Sequence, residues 1–242
     1  MKPREMILSL LPVYAIVFLG ITMCALIGNQ AVATIAQYAQ NPNRHTIIID
    51  PGHGGVDGGA TSCTGILESK INLDIALRLD DTMHLLGMDT LLIRRTDCSV
   101  YTQGETIAQK KVSDLRERVR IINETDNAFL ISIHQNTFPD GKYWGLQTFY
   151  AAVEGSKSFA EKLQVQYRES LMPDNNRRIK QAKGIYLMEH IKCPGILLEC
   201  GFLSNPREEA LLRSAEYQIN LCALIAATSI QHLSDGINER IL

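Results

Sequence analysis

Three apolar stretches of this sequence end in a side chain that can bind a metal ion or transfer a proton. His53 follows a β-branched run, while His134 and Glu199 each end an apolar run. Glu68 stands a loop's length beyond His53, where a helical pattern begins. Two histidines and a carboxylate are a standard ligand set for a catalytic zinc that keeps one position open for water.

The same four side chains suffice for amide hydrolysis. A bound zinc makes hydroxide available at neutral pH and polarises a carbonyl oxygen. A carboxylate outside the ligand set can take the proton of the water and pass it to the leaving nitrogen. We therefore predict one Zn²⁺ on His53, Glu68 and His134, with Glu199 as the acid/base.

Each of these residues also has a structural explanation. The glycines around His53 fit an ordinary tight turn, and His134 could be a buried, hydrogen-bonded histidine. An acidic residue such as Glu68 is favoured in the first turn of a helix. Glu199 could form a structural ion pair, since a carboxylate is rarely buried without a partner.

Two asparagines are placed to support this site, and one further histidine competes with it. Asn72 lies one helical turn beyond Glu68 and could orient that ligand. Asn136 shares a strand face with His134 and could do the same or contact the substrate. His190 follows a predicted short strand and is the alternative ligand, although it lacks the glycine setting.

The elements that must position these residues alternate between strands and helices. This alternation predicts an α/β fold, a sheet covered by helices on both faces, with ligands bound at the carboxyl ends of the strands. The predicted strands are 46–50, 89–94, 128–134, 146–151, 185–188 and 196–199. The predicted helices are 69–86, 113–123, 156–171, 206–213 and 217–233, and residues 98–111 are predicted to form a polar loop.

The N-terminus has the character of a membrane segment. Met6–Ile27 carries no charge and is long enough to cross a bilayer. Lys2 and Arg4 precede it, which favours a cytoplasmic tail and an extracytoplasmic domain. We favour an uncleaved signal anchor over a cleaved signal peptide, although residues 31–33 (Ala-Val-Ala) resemble a cleavage site.

Length and charge limit the remaining organisation. We predict a signal-anchor segment at 1–28, a linker at 29–44 and a single catalytic domain at 45–242. With 24 basic and 26 acidic residues, the chain has no basic excess for a phosphate backbone, so nucleic acid is not expected as a partner.

The six cysteines show no CxxC pair, and Cys24 lies in the apolar segment. We predict that the other five are mostly buried small residues and not a disulfide framework. A bridge between Cys193 and Cys200 stays open at this stage.

Four spaced blocks resemble the zinc-dependent N-acetylmuramoyl-L-alanine amidases of the type called amidase 3, over about residues 45–233. The resemblance implies a mixed, mostly parallel, roughly six-stranded sheet flanked by helices. It also implies hydrolysis of the amide between the lactyl group of N-acetylmuramic acid and L-alanine of the stem peptide. The blocks are Ile49 to Gly55, Glu68 with Asn72, Ser132 to Asn136, and Glu199 to Asn205.

The resemblance assigns roles residue by residue. His53, Glu68 and His134 correspond to the zinc ligands of the family, and Glu199 corresponds to its catalytic carboxylate. The family usually has alanine after the asparagine of the second histidine block, where this sequence has Thr137. That departure concerns substrate positioning and leaves the zinc ligands unaffected.

Longer matches at 114–119, 184–188 and 201–206 resemble the spore-cortex, germination-specific members of that family. This implies that the protein acts outside the cytoplasm, in the forespore envelope or cortex of an endospore-forming bacterium. Its partner would be a peptidoglycan glycan strand with its stem peptide. It would act upstream of a peptidoglycan deacetylase, on the route to muramic-δ-lactam, which germination enzymes recognise.

Other functions remain open from the sequence. The same four residues would serve a zinc peptidase acting on cell-wall peptides. A non-catalytic wall-binding scaffold is a third hypothesis, although such a relative would be expected to lose a ligand or the acid/base. Because no wall-binding repeats are present, we also expect an accessory protein that positions or activates the domain.

Overall fold

The computed structural model describes residues 19–20, 22–36, 38 and 44–241, with side chains as far as residue 234. The described residues contain a six-stranded sheet in the order β2-β1-β3-β6-β4-β5. β4 runs antiparallel to β6, and the other neighbouring strands are parallel. The strands are β1 (Thr46–Pro51), β2 (Asp89–Leu92), β3 (Ala128–Asn136), β4 (Gln147–Tyr150), β5 (Lys180–Gln181) and β6 (Gly195–Phe202).

Helices cover both faces of this sheet, as predicted. Ile47 and Ile49 of β1 pack in one core cluster, and Ile48 packs in the other, because successive strand residues point to opposite faces. α1, α3, α5 and α6 contribute to the first cluster, and α2 and α4 to the second. The helices are α1 (Glu68–Leu85), α2 (Ile107–Glu124), α3 (Ser156–Ser170), α4 (Tyr186–His190), α5 (Pro206–Leu212) and α6 (Ala215–Ile241).

Three element predictions were wrong. Residues 185–188, predicted as a strand, mostly belong to the short helix α4. α2 begins at Ile107 inside the predicted loop, because Thr106 and Gln109 form a capping box there. β5 was missed because it has only two residues, too few for a periodic pattern.

The N-terminal part is only partly covered. The predicted span Met6–Ile27 lies mostly outside the described residues, so it stays a prediction. Among the residues that the structure describes, no helix has both the length and the apolar character for a membrane span. The predicted linker is helical to residue 36, and Tyr38 is buried against the first core cluster.

All six cysteines are free, so Cys193 and Cys200 do not form a bridge. The prediction that most are buried was wrong. Of the five outside the apolar segment, Cys200 and Cys222 are buried and Cys193 is intermediate, while Cys63 and Cys98 are exposed in loops.

Candidate metal centre

The parallel strands β1, β3 and β6 bring the predicted site residues to one edge of the sheet. His53 follows β1, and His134 and Glu199 are direct neighbours in the register of β3 and β6. Glu68 is the first residue of α1, which packs against β1 and β3. The rule that parallel strands present ligands at their carboxyl ends therefore places all four residues together.

The side chains of His53, Glu68 and His134 fit a metal ion. One ligand atom from each lies within 4.8 Å of the others. His53 Nε2 is 3.3 Å from Glu68 Oε2, and His134 Nδ1 is 3.1 Å from Glu68 Oε1. Two ligands of a tetrahedral zinc lie roughly 3.3 Å apart when each bond is about 2.0–2.1 Å. The donor types and their spacing could therefore hold one metal ion such as zinc.

Glu68 is held by several hydrogen bonds. Its Oε1 accepts from the Gln135 backbone N–H at 3.1 Å and from Asn72 Nδ2 at 3.3 Å, and its Oε2 accepts from the Ala60 N–H at 3.0 Å. Burial alone would raise the pKa of Glu68, but hydrogen bonds with His134 and His53 hold it below its usual range. The carboxylate is therefore anionic and fixed in position.

His53 has an unusual backbone and a carboxylate behind its ring. Its φ of 60° is in the left-handed region that non-glycine residues seldom occupy. Its Nδ1 lies 3.0 Å from Asp57 Oδ2, and Lys111 Nζ lies 2.7 Å from Asp57 Oδ1. Burial would lower the pKa of His53, but Glu68 and Asp57 raise it to about 9. A carboxylate on Nδ1 leaves Nε2 for a metal.

At two positions, only glycine leaves room for the side chains of the candidate ligands. A Cβ on Gly52 would collide with the His134 imidazole. A Cβ on Gly59 would lie 2.6 Å from Glu68 Oε2 and 2.7 Å from His53 Cδ2, and its φ is +69°. The glycine preference of this loop thus follows from the space that the candidate ligands occupy.

Two buried arginines hold the loop that carries His53. Arg94 donates from Nε to the Pro51 carbonyl at 2.9 Å and from Nη2 to the Gly52 carbonyl at 3.0 Å. Arg118 donates from Nη2 to the His53 carbonyl at 2.7 Å and forms an ion pair with Asp50. Both arginines therefore fix the backbone from which the candidate ligand projects.

Glu199 lies near the cluster of His53, Glu68 and His134 but is not one of these three candidate ligands. Its buried Oε2 has no hydrogen-bond partner among the described residues. Burial raises the pKa of Glu199, and the charge of Glu68 adds to that effect, while His134 and His53 oppose it. A carboxyl with a raised pKa and an oxygen free of hydrogen bonds to the described residues, beside the candidate metal ligands, is suited to proton transfer.

The remaining predicted residues fall in different places. Asn72 is buried, donates to the Gly52 carbonyl at 3.1 Å as well as to Glu68, and accepts from Gln135 Nε2 at 3.2 Å. Asn136 lies beyond a register shift after His134. His190 is exposed, stacks on Tyr186 and is not one of the three clustered candidate ligands.

Sequence reasoning missed the residues that hold the candidate ligand His53 and its loop in place. Asp57, Arg94 and Arg118 received no role, because their contacts depend on how α2 and the end of β2 pack against the loop after β1. The available signals were an acidic residue four positions after His53 and an arginine in the 114–119 match. Neither signal indicates a partner without the three-dimensional structure.

The fold and this cluster define an α/β protein with a candidate mononuclear metal centre. Residues 47–231 match the profile of the N-acetylmuramoyl-L-alanine amidase family. The chain is also 35% identical over 191 residues to the germination-specific N-acetylmuramoyl-L-alanine amidase of Bacillus subtilis, covering 78% of this chain and 80% of that protein. The chain therefore belongs to the N-acetylmuramoyl-L-alanine amidase family.

Further relatives support this assignment. The chain is 32% identical over 199 residues to the N-acetylmuramoyl-L-alanine amidase LytC of Bacillus subtilis, covering 80% of this chain and 37% of that longer protein. It also resembles the CwlD amidase from Clostridioides difficile, solved in complex with the GerS lipoprotein. That match has a TM-score of 0.76 and 36% identity, and it covers 79% of this chain and 100% of the solved one.

Proposed function

We propose that this chain is a zinc-dependent hydrolase that cleaves the amide between the lactyl group of N-acetylmuramic acid and L-alanine of the stem peptide. The observation that carries the proposal is the convergence of His53, Glu68 and His134 beside Glu199, whose buried Oε2 has no hydrogen-bond partner among the described residues. Membership of the amidase family supports the choice of the muramoyl amide as the scissile bond.

In this mechanism, His53, Glu68 and His134 would hold one zinc ion. When bound, this ion would act as a Lewis acid, which lowers the pKa of water and polarises the scissile carbonyl. Glu199 accepts the proton of the attacking water and gives it to the leaving amine nitrogen. Its raised pKa suits a group that must both hold and release a proton.

Two asparagines complete the proposed site. Asn72 orients Glu68 and ties it to the Gly52 carbonyl, so it acts as a positioning residue. Asn136 stands at the end of β3 beside a register shift, which supports a role in contacting the substrate. Thr137, where the family usually has alanine, is the first residue after β3.

The experiment is digestion of purified peptidoglycan, with the products identified by mass spectrometry. We expect free stem peptides that begin with L-alanine, loss of this activity with a chelator and its return with added zinc. Cleavage only inside the stem peptide would make the chain a zinc peptidase. Absence of cleavage together with no zinc affinity would favour a non-catalytic scaffold.

We also propose action outside the cytoplasm on spore-cortex peptidoglycan, upstream of a deacetylase and of muramic-δ-lactam formation. The similarity to the germination-specific amidase of Bacillus subtilis supports this role. Muropeptide analysis of spores lacking the gene tests it, and unchanged δ-lactam would contradict it. The relative solved with a lipoprotein supports an accessory partner for this chain, which co-purification from sporulating cells would identify.

A further inference from the structure

The guanidinium of Arg177 lies beside the line of candidate site residues that crosses the sheet from His134 to Glu199. Gln147 of β4 lies directly opposite Glu199 in the antiparallel register with β6. Opposed residues of an antiparallel pair share a face, with Cβ atoms about 5 Å apart. Arg177 donates from Nη1 to Gln147 Oε1 at 3.2 Å. Arg177 therefore lies one side chain beyond the proposed acid/base.

Arg177 is held in a defined position. Its Nε donates to the Trp144 carbonyl at 2.6 Å, and its guanidinium carbon lies 4.3 Å from the centroid of the Phe202 ring. Its backbone N–H donates to Asn175 Oδ1 at 3.1 Å. A guanidinium fixed in this way loses little further entropy when it binds an anion.

No carboxylate within ion-pair distance neutralises Arg177 in the part of the chain that the structure describes. Glu208 interacts with it through space, but its two oxygens accept the backbone N–H groups of Gly145 at 2.9 Å and Phe202 at 2.8 Å. Burial lowers the pKa of Arg177, and the charge of Glu208 opposes that effect. The cation thus retains the capacity to bind a carboxylate.

The space beside Arg177 can admit such a group. Arg177 lines an open cleft of about 410 Å³, together with Lys142, Tyr143, Trp144, Asp174, Asn175 and Asn176. Asp174 forms no ion pair with Arg177 among the described residues. Lys142 pairs with Asp140, so its charge is already partnered. The cleft therefore presents a positioned guanidinium, and Gln147 links it to the position opposite Glu199.

We propose that Arg177 binds a carboxylate of the acidic stem peptide and thereby anchors the substrate beside the metal centre. This inference rests on the proposed function. The muramoyl carboxyl is consumed in the scissile amide, so free carboxylates of the substrate lie on the peptide. A residue of extended peptide spans about 3.3–3.6 Å. Gln147 is one strand spacing, about 4.8 Å, from Glu199, and Arg177 contacts the Gln147 side chain. A carboxylate on one of the first residues of the stem peptide is therefore the group that we expect Arg177 to bind.

The test compares two muramoyl peptides that differ only in having a carboxylate or a carboxamide on the second peptide residue. We expect wild type to show a KM roughly tenfold to hundredfold lower for the carboxylate. Arg177→Met should lose that preference with little change in kcat, and Arg177→Lys should retain part of it. The control Arg178→Met, which removes an exposed neighbouring charge, should behave as wild type.

Two results would overturn the proposal. One is an equal KM of the wild-type enzyme for the two substrates. This measurement does not depend on whether any variant folds. The other is an equal loss on both substrates in Arg177→Met, which would assign Arg177 a structural role. Calorimetry of both peptides with zinc-loaded Glu199→Gln measures the carboxylate preference even if neither is cleaved, so failure of the amidase activity is distinguished from failure of carboxylate binding.

Discussion

At the residue scale, the geometry of the candidate site requires that Gly52 has no side chain. Gly52 has no Cβ, and the His134 imidazole occupies the space that a Cβ would fill. The histidine, the glycine and the carbonyl bonded by Asn72 therefore form one close-packed unit. Adding a single methyl group at position 52 should therefore displace His134 and distort the proposed metal site.

We predict that Gly52→Ala weakens zinc binding and reduces turnover roughly hundredfold. The reason is that the new Cβ displaces His134, and misplacement of a catalytic site by about 1 Å has a cost of that order. Zinc titration and peptide release measure both effects. Gly28→Ala is the control, because a Cβ there meets nothing within 4 Å. Wild-type zinc affinity in Gly52→Ala would show that the close approach is unimportant.

The four proposed active-site residues could be predicted because each lies in or just after a recognisable apolar strand, or at the start of a helix. The side chains that hold them could not be predicted in the same way. Asp57 contacts His53 through a turn, and Arg118 reaches it from α2. Such contacts are set by tertiary packing and leave no periodic pattern in the sequence.

At the element scale, the ion pair of Arg118 and Asp50 joins α2 to β1. Both side chains are buried, and the Ser132 hydroxyl donates to Asp50 at 2.7 Å. Burial would raise the pKa of Asp50, but the charge of Arg118 and the Ser132 hydroxyl hold it below its usual range. The pair therefore stabilises the folded state while Asp50 is ionised.

We predict that Arg118→Met lowers the free energy of unfolding by about 3–5 kcal/mol at pH 7, because it leaves a buried carboxylate unpaired. The unfolded pKa of Asp50 is about 3.9. The stabilisation is thus present above about pH 4 and is lost as the pH falls through the lower folded-state pKa.

Denaturant unfolding at several pH values measures this difference. Arg116→Met is the control, since Arg116 is exposed on the same helix. The difference between wild type and Arg118→Met should shrink in acid. A difference that is small at pH 7, or unchanged at low pH, would show that the pair contributes little.

Elements with clear periodicity were predicted from the sequence, whereas short or capped ones were not. β1, β3 and β6 each contain a short, mainly apolar run, and α1 has apolar residues at helical spacing. α4 has five residues, and its length cannot separate helix from strand. α2 extends beyond its prediction because its capping box lies in a polar stretch.

At the scale of the whole molecule, one sheet edge carries the proposed chemistry. The row runs from His134 of β3 to Glu199 of β6, Gln147 of β4 and then Arg177. Only the antiparallel placement of β4 beside β6 brings Gln147 opposite Glu199. The sequence predicted a mixed sheet through its resemblance to the amidase family, but it predicted neither this register nor the role that we propose for Arg177.

The central claim is that three side chains hold one zinc ion while Glu199 moves the proton. The most direct test measures bound zinc by elemental analysis and peptide release in Glu199→Gln and His53→Ala, with the exposed Glu154→Gln as control. We predict that Glu199→Gln retains one zinc per chain but loses about 10²–10⁴-fold in turnover, whereas His53→Ala loses both. Stem-peptide release by Glu199→Gln at the wild-type rate would contradict the account.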